Sequence, residues 1–344
     1  MNRILLGRRA ALGAFGAAFV SPILSPGLRA APPLRLGLLH TLSPAPFYIA
    51  QERGYFAQNG VDLTFRFFEA AQPIAAAAVA GDIDVGVTAL TGGFFNLAAT
   101  GTLKVIGGAL HEQRGYEGSA ILVSNQAFEA GLTSPDKLGG HSFAITQYGS
   151  SFHYMLGRIA QAKGFDLSTV TLRPVQQVPN MIAAVQTGQV DATIAIASMA
   201  KPLSTSGQAH IIGWVGDIVP YQITALFTTA TMIARRAATL RGFARGYQQG
   251  VADYRDAFLR LDAQGRPIVD AKTDAMIPLL TKYVFTGDPA ARSKILNGIG
   301  YYDPGGALDV ADIIAQFRWF QQQGLVKAQI DPTKLIDTSF LPAR

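Results

Sequence analysis

Short runs of aliphatic and β-branched residues alternate along this chain with longer stretches of helical period. In order they are the run Leu34–Leu39, a helix Phe47–Gln58, the run Val61–Phe68, a helix near Ile74–Ala80, the run Ile83–Leu90, a helix Phe94–Ala99 and the run Lys104–Leu110. Strand–helix–strand alternation predicts parallel sheets with helices on both faces, because a parallel neighbour is reached only through a crossover. Gly54 and Gly60 punctuate the first helix, and Gly60 is placed to end it in the left-handed conformation.

The plan then repeats. "AAVAGDIDVGV" at Ala77–Val87 is echoed by "AAVQTGQVDATIAI" at Ala183–Ile196: helix end, glycine, aliphatic residue, aspartate, strand. Gly81 and Gly188 are 107 residues apart, and so are Asp84 and Asp191. Ile49–Gln51 has a looser counterpart in Ile159–Gln161. Two similar α/β lobes are expected, against the alternative of a chance likeness between alanine-rich helices. The second lobe starts near Gly115–Gly118 and ends near Trp214–Tyr221, after which "QITALFTTATMIA" reads as a strand returning to the first sheet. Helices follow at Ala238–Arg260, Thr273–Val284 and Asp309–Gln323. The expected division is a leader over 1–30, lobe I over 31–114 and 222–344, and lobe II over 115–221. Two crossing segments would then form a hinge.

The leader changes the picture of compartment and charge. A basic start, an apolar run Ala10–Val20, prolines and a small-residue exit at Leu28–Ala31 read as a secretory signal with cleavage near Ala30. The run is short of the ~20 residues that span a bilayer. Arg8 and Arg9 ahead of it point to the twin-arginine route, with general secretion the alternative. Arg3, Arg8, Arg9 and Arg29 lie in the leader and no acid does, so the net charge of +6 falls to +2 without it. No basic stripe interleaved with aromatics is present, which argues against a nucleic-acid partner. The absence of cysteine excludes disulfides, thiolate catalysis and cysteine metal sites.

Ligands of open parallel sheets gather beyond the carboxyl ends of strands. Four loops qualify: His40–Pro46, Ala89–Gly93, Thr146–Ser151 and Ala197–Lys201. Each precedes a helix, whose free N–H groups favour an anion. Ser43, Thr91, Ser150, Ser151 and Ser198 bring hydroxyls there, although an N-cap explains each of them without a ligand. Gly92, Gly93 and Gly149 let a ligand approach the backbone. His111 and Arg114 could meet a ligand carboxylate or pair at the surface with Glu112 and Glu117; His153 and Lys201 are weaker candidates of the same kind. The five histidines form no HxxxH, HExxH or HxxEH pattern, and no GxSxG, P-loop or GxGxxG occurs. No catalytic residue, metal site or cofactor is indicated.

"PFYIAQERGYFAQNGVDLTF" at Pro46–Phe65 resembles the first helix of solute-binding proteins of nitrate/sulfonate/taurine-type ABC importers, related to the NMT1/THI5-like family. The likeness continues in "AAVAGDIDVGV", "SPDKLGGHSFAITQYGSSFHYML", "AAVQTGQVDATIA" and "GALDVADIIAQFRWFQQQGLVK", and covers nearly all of the chain after the leader. It implies a two-lobe periplasmic-binding-protein fold of type II with the ligand in the cleft. It also implies a monomeric periplasmic receptor, not an enzyme, that delivers a small organic anion to an inner-membrane ABC permease. Carried over by position, the ligand would meet Ser43, Pro46, Phe47, Thr91, Gly92, Tyr148, Gly149, Ser150, Ser151, Ser198 and Tyr221. Asp84 and Asp191 open strands and are read as structural. Tyr148 beside Gly149, and Phe94–Phe95 after Gly93, suggest a ligand with an apolar or aromatic body rather than nitrate or taurine. The alternative is binding of a thiamine-pyrimidine precursor, or a related enzyme on the same fold. Against the enzymes, thiamine-pyrimidine synthases carry a cysteine-rich segment and futalosine-pathway enzymes are cytoplasmic.

Overall fold

The structure, a computed structural model, describes residues 32–344; the leader lies outside them. In chain order the strands of the first part are β1 (Leu34–Leu39), β2 (Leu63–Phe68), β3 (Val85–Ala89), β4 (Leu103–Gly108) and β5 (Leu110–Glu112). Then come β6 (Ser119–Val123), β7 (Ser142–Ile145), β8 (Thr171–Pro174), β9 (Ala192–Ile196) and β10 (His210–Trp214). The last are β11 (Tyr221–Gln222), β12 (Thr224–Thr229) and β13 (Tyr301–Tyr302).

Two five-stranded sheets result, each the centre of a lobe. Lobe I has the order β2-β1-β3-β12-β4, and lobe II has β8-β7-β9-β6-β10. The two orders are the same once β7, β8 and β9 are set over β1, β2 and β3. In lobe I only β12 runs antiparallel, to β3 and β4; in lobe II the odd strand is β6, antiparallel to β9 and β10. Each antiparallel strand adjoins a crossing between the lobes. The buried runs explain the pattern: β6 and the first four residues of β3 are buried, as strands covered on both faces must be.

The aspartate repeat has a structural cause. Asp84 accepts the backbone N–H of Arg35 on β1 at 2.8 Å and also its guanidinium. Asp191 accepts the backbone N–H of Ser142 on β7 at 2.8 Å and also its hydroxyl. Both pairs span 49 residues, so β1 is pinned to the start of β3 and β7 to the start of β9 in the same way.

The first helix departs from expectation. Instead of one helix Phe47–Gln58, the chain forms Ala45–Glu52 and Tyr55–Gln58, because Gly54 adopts φ 70° and breaks the ladder. "QITALFTTATMIA" is likewise strand only to Thr229; a 29-residue helix, Ala230–Phe258, starts at once, kinked at Arg236. This helix covers the first two. At Gly250 a Cβ would stand 2.3 Å from the Pro46 carbonyl oxygen, so glycine is required for that approach.

The helix Val310–Gln322 joins the lobes. Its Phe317 and the adjoining Phe320 meet Phe95 of lobe I, while Trp319 and Phe320 meet Tyr154 of lobe II. The crossings themselves are paired strands. β5, just before the chain leaves lobe I, lies between β11, just after it returns, and β13.

Candidate functional site

The carboxyl ends of β1 and β3 in lobe I face the ends of β7 and β9 in lobe II, and the loops there touch. The Gly92 N–H donates to the Gly149 carbonyl at 2.9 Å. The Gln147 side chain donates to that of Gln72. Ser198 and Leu42 flank Gly298 so closely that a Cβ there would fall 2.8 and 2.9 Å from them. Beside these contacts a cavity of about 700 Å³ lies between the lobes. His40, Thr41, Leu42, Val284 and Phe285 form its lobe I wall, and Ile182, Ile196, Ser198 and Met199 its lobe II wall. Lys294 reaches it with its ammonium paired to Asp288 and set over the Phe285 ring.

Two of the loop hydroxyls are caps. Thr91 accepts the Phe94 N–H at 3.0 Å and Ser150 accepts the His153 N–H at 3.4 Å, both buried. A hydroxyl that accepts still has its own proton to donate, so capping fixes these groups without using them up. Ser43 shares a hydrogen bond with Thr41 at 2.8 Å, while its carbonyl accepts from Tyr302. Ser151 and Ser198 are half-buried.

His153 holds the glycine–serine loop from below. Its Nδ1 accepts the Gly149 N–H at 3.3 Å, which requires a neutral ring at that atom. Burial against Trp319 pushes its pKa down to about 4, in keeping with that role.

Several expected contacts are placed elsewhere. Phe47 is fully buried, stacked on Tyr247 at 4.3 Å, and Pro46 is buried against the long helix. The N-terminal end of the first helix therefore turns these side chains into the core of lobe I. Phe94 and Phe95 pack on Phe227, Phe317 and Phe320, so they say nothing about a ligand. Tyr148 is 56 % exposed and meets His153 edge-on, outside the cavity wall. Tyr221 is enclosed in the hinge beside Tyr154. His111 is buried against Arg344 and Asp309 rather than paired with Glu112. Arg114 reaches the Asp217 carbonyl, and Glu117 pairs with Lys201 instead.

Sequence reasoning passed over Ile182, Met199 and Val284–Phe285. Two non-glycine residues with positive φ flank the cavity: Phe285 at 58° on its wall, and Gln176 at 69° just before the helix that carries Ile182. Strained backbone of this kind gathers at ligand clamps, and no glycine marks it in the sequence.

Two lobes of one topology, hinged by paired strands around a walled cavity, define the class of two-lobe binding folds. The chain belongs to the NMT1/THI5-like family, whose model matches residues 42–257. No curated protein matches it. Among solved structures it is similar to the alkanesulfonate-binding protein SsuA from Xanthomonas axonopodis pv. citri bound to MOPS, at 19% identity and a TM-score of 0.67, covering 89% of this chain and 98% of that one. The nitrate-binding protein NrtA from Synechocystis PCC 6803 matches at 16% identity and a TM-score of 0.62, covering 87% and 83%. The desulfurization enzyme DSZB matches at 13% identity and a TM-score of 0.60, covering 89% and 96%. At these identities the likeness shows the periplasmic-binding-protein fold. No helix of the described residues is long and apolar enough to cross a membrane.

Proposed function

We propose that the chain is the receptor of an ABC importer, exported to the periplasm, where it closes on a small organic anion and presents it to a permease in the inner membrane. The anion is a sulfonate or carboxylate with an apolar or aromatic body. One observation carries this reading: the cavity of about 700 Å³ between the lobes has walls made mainly of aliphatic and aromatic side chains. That volume is in the range of sites for organic ligands, and a four-atom oxyanion such as nitrate would leave most of it unfilled. Of the expected hydroxyls Ser198 is on the cavity wall; the anionic head would meet it, and would have to reach past the wall to meet those of Ser43, Thr91, Ser150 and Ser151 and the helix amides there, which favour negative charge. The apolar body would lie against Leu42, Ile182, Ile196 and Met199. A similar fold serves a sulfonate-binding protein, which supports the head group.

The fold also serves a desulfurization enzyme, so turnover is the reading to set against binding. A thermal-shift and calorimetry panel decides. It would contain hexanesulfonate, naphthalenesulfonate, benzoate, taurine, nitrate and a hydroxymethylpyrimidine. At a hundredfold excess over Kd a true ligand adds about 2.7 kcal/mol of stability. We expect this from the large sulfonates or carboxylates, recovered unchanged by mass spectrometry. Stabilisation by nitrate alone, or by the pyrimidine alone, would overturn the ligand class; conversion of the ligand would make the chain an enzyme.

A further inference from the structure

Glu112 is 1 % exposed and sits on β5, where the chain is about to leave lobe I. Its carboxylate accepts the N–H of Ser119, the first residue of β6 in lobe II, at 3.3 Å. It also accepts the N–H of Gly216, in the turn by which the chain leaves lobe II. The packing around it admits no side chain: a Cβ on Gly118 would stand 2.6 Å from the Glu112 carboxylate, and one on Gly216 would stand 2.7 Å from the Gln113 carbonyl. Across the β5–β11 ladder Glu112 faces Tyr221, the first strand residue after the return crossing. One carboxylate thus holds both the way into lobe II and the way out.

The charges around it do not neutralise it. On its own strand His111 is engaged with Arg344 and Asp309. In the outgoing turn Arg114 donates to the Asp217 carbonyl, and Glu117 pairs with Lys201. The helix Val215–Ile218 presents Asp217, a second negative charge. On β11 the Tyr221 hydroxyl is buried, with Tyr154, Arg158 and Asp312 beyond it.

We propose that Glu112 is the positioning residue of the hinge, and that its ionisation sets how far the two lobes close, so that the open–closed equilibrium responds to pH around neutrality. The proposal needs only that the lobes move, not that they bind an anion. A neutral carboxyl can be enclosed between the crossings, whereas an ionised one without a cation gains from the water that parting crossings admit. Burial pushes Glu112 up to about 7 in the enclosed form, with Asp217 adding to the rise against the lowering effect of the Ser119 and Gly216 hydrogen bonds. The closed form therefore binds more protons than the open one, and rising pH shifts the population towards open. Any ligand that selects the closed form takes up protons at neutral pH and binds more weakly as pH rises.

Small-angle scattering of the ligand-free protein from about pH 5.5 to 8.5 tests this. The radius of gyration should grow as pH rises towards 7 and level off above it. In Glu112→Gln, which keeps an acceptor but no charge, it should stay at the low-pH value throughout. Carbon-13 spectra of protein labelled at glutamate carboxyls give a second measurement that needs no variant: one signal should titrate near 7. A pH-independent radius, a transition unchanged in Glu112→Gln, or no glutamate carboxyl titrating above the ordinary range would each overturn the proposal. None of these readouts uses a ligand. A chain that binds nothing in the panel can still pass this test, and a confirmed receptor can fail it.

Discussion

The Gly92 N–H and the Gly149 carbonyl meet across the cleft at 2.9 Å, a backbone hydrogen bond between two lobes whose sheets share no strand. Gly149 makes this contact with φ 78°, a left-handed conformation that an L side chain adopts only with strain. Its missing Cβ would have room, the nearest atom being 3.8 Å away, so Gly149→Ala tests backbone conformation alone. We expect a loss of roughly 1–2 kcal/mol in urea unfolding and a larger radius of gyration. An unchanged radius would mean that the other lobe contacts suffice to hold the cleft shut.

The paired aspartates make a graded prediction. Asp84 and Asp191 do the same work, but the Asp84 side chain is 13% exposed and that of Asp191 36%. A charged acceptor's hydrogen bonds are worth about 1.5–3 kcal/mol when enclosed and less when water competes. Asp84→Ala should therefore lower stability by about 2–3 kcal/mol, and Asp191→Ala by about half of that. Equal losses in urea titration would show that exposure does not govern the two anchors.

The architecture was legible because this repeat is written in the chain: two aspartates, each 49 residues after the strand residue it anchors, mark equivalent strands of two sheets of one order. The cleft walls were less legible. Phe94 and Phe95 follow a glycine pair and read as ligand-facing, yet the face of the sheet away from the long helix claims them. Helical period says that a residue is buried, not which of two apolar spaces buries it. Phe285 and Gln176 carry strain without glycine, so no punctuation announces the turns that build the cavity. The rule that Ser and Thr open helices holds for Thr91 and Ser150, whereas Ser43 bonds Thr41 and the helices beside Ser43 and Ser198 carry no side-chain cap.

His153 and Glu112 should tilt stability in opposite directions with pH. His153 is held at about 4, below its unfolded value near 6.5, so the folded state binds fewer protons between them. Its contribution is present above about 6.5 and is lost as pH falls towards 4. Glu112 is raised to about 7 from an unfolded value near 4.5, so its contribution is present below about 4.5 and is lost as pH rises to 7. Melting temperature followed from pH 4.5 to 6.5 should gain a downward slope with rising pH in His153→Gln and an upward one in Glu112→Gln. Parallel curves for both variants would refute the assignment.

Ile182 tests the apolar wall. Its truncation in Ile182→Ala removes methyl groups worth roughly 1–2 kcal/mol to a ligand body that covers them. Calorimetry should show about a tenfold weaker naphthalenesulfonate and unaltered binding of any small anion that the cleft accepts. In Ser150→Ala with Ser151→Ala the selectivity is lost, with both kinds of anion weakened. Losses confined to melting temperature would leave Ser150 as a cap only.

The place of β12 in lobe I has a consequence for the order of synthesis. It lies between β3 and β4 in the sheet, yet it is made only after the whole of β6–β10. A growing chain can pair all five strands of lobe II while lobe I still exists as two fragments, β2-β1-β3 and a solitary β4. Until residue 229 emerges, the flank of β3 that will receive β12 is an open edge, with β4 waiting apart from it. Open edges recruit other strands, so the nascent first lobe is the part of this molecule that a holding chaperone would have reason to cover. The lobe begun first is the lobe completed last, and the strand that completes it directly follows the one by which the chain returns from its partner.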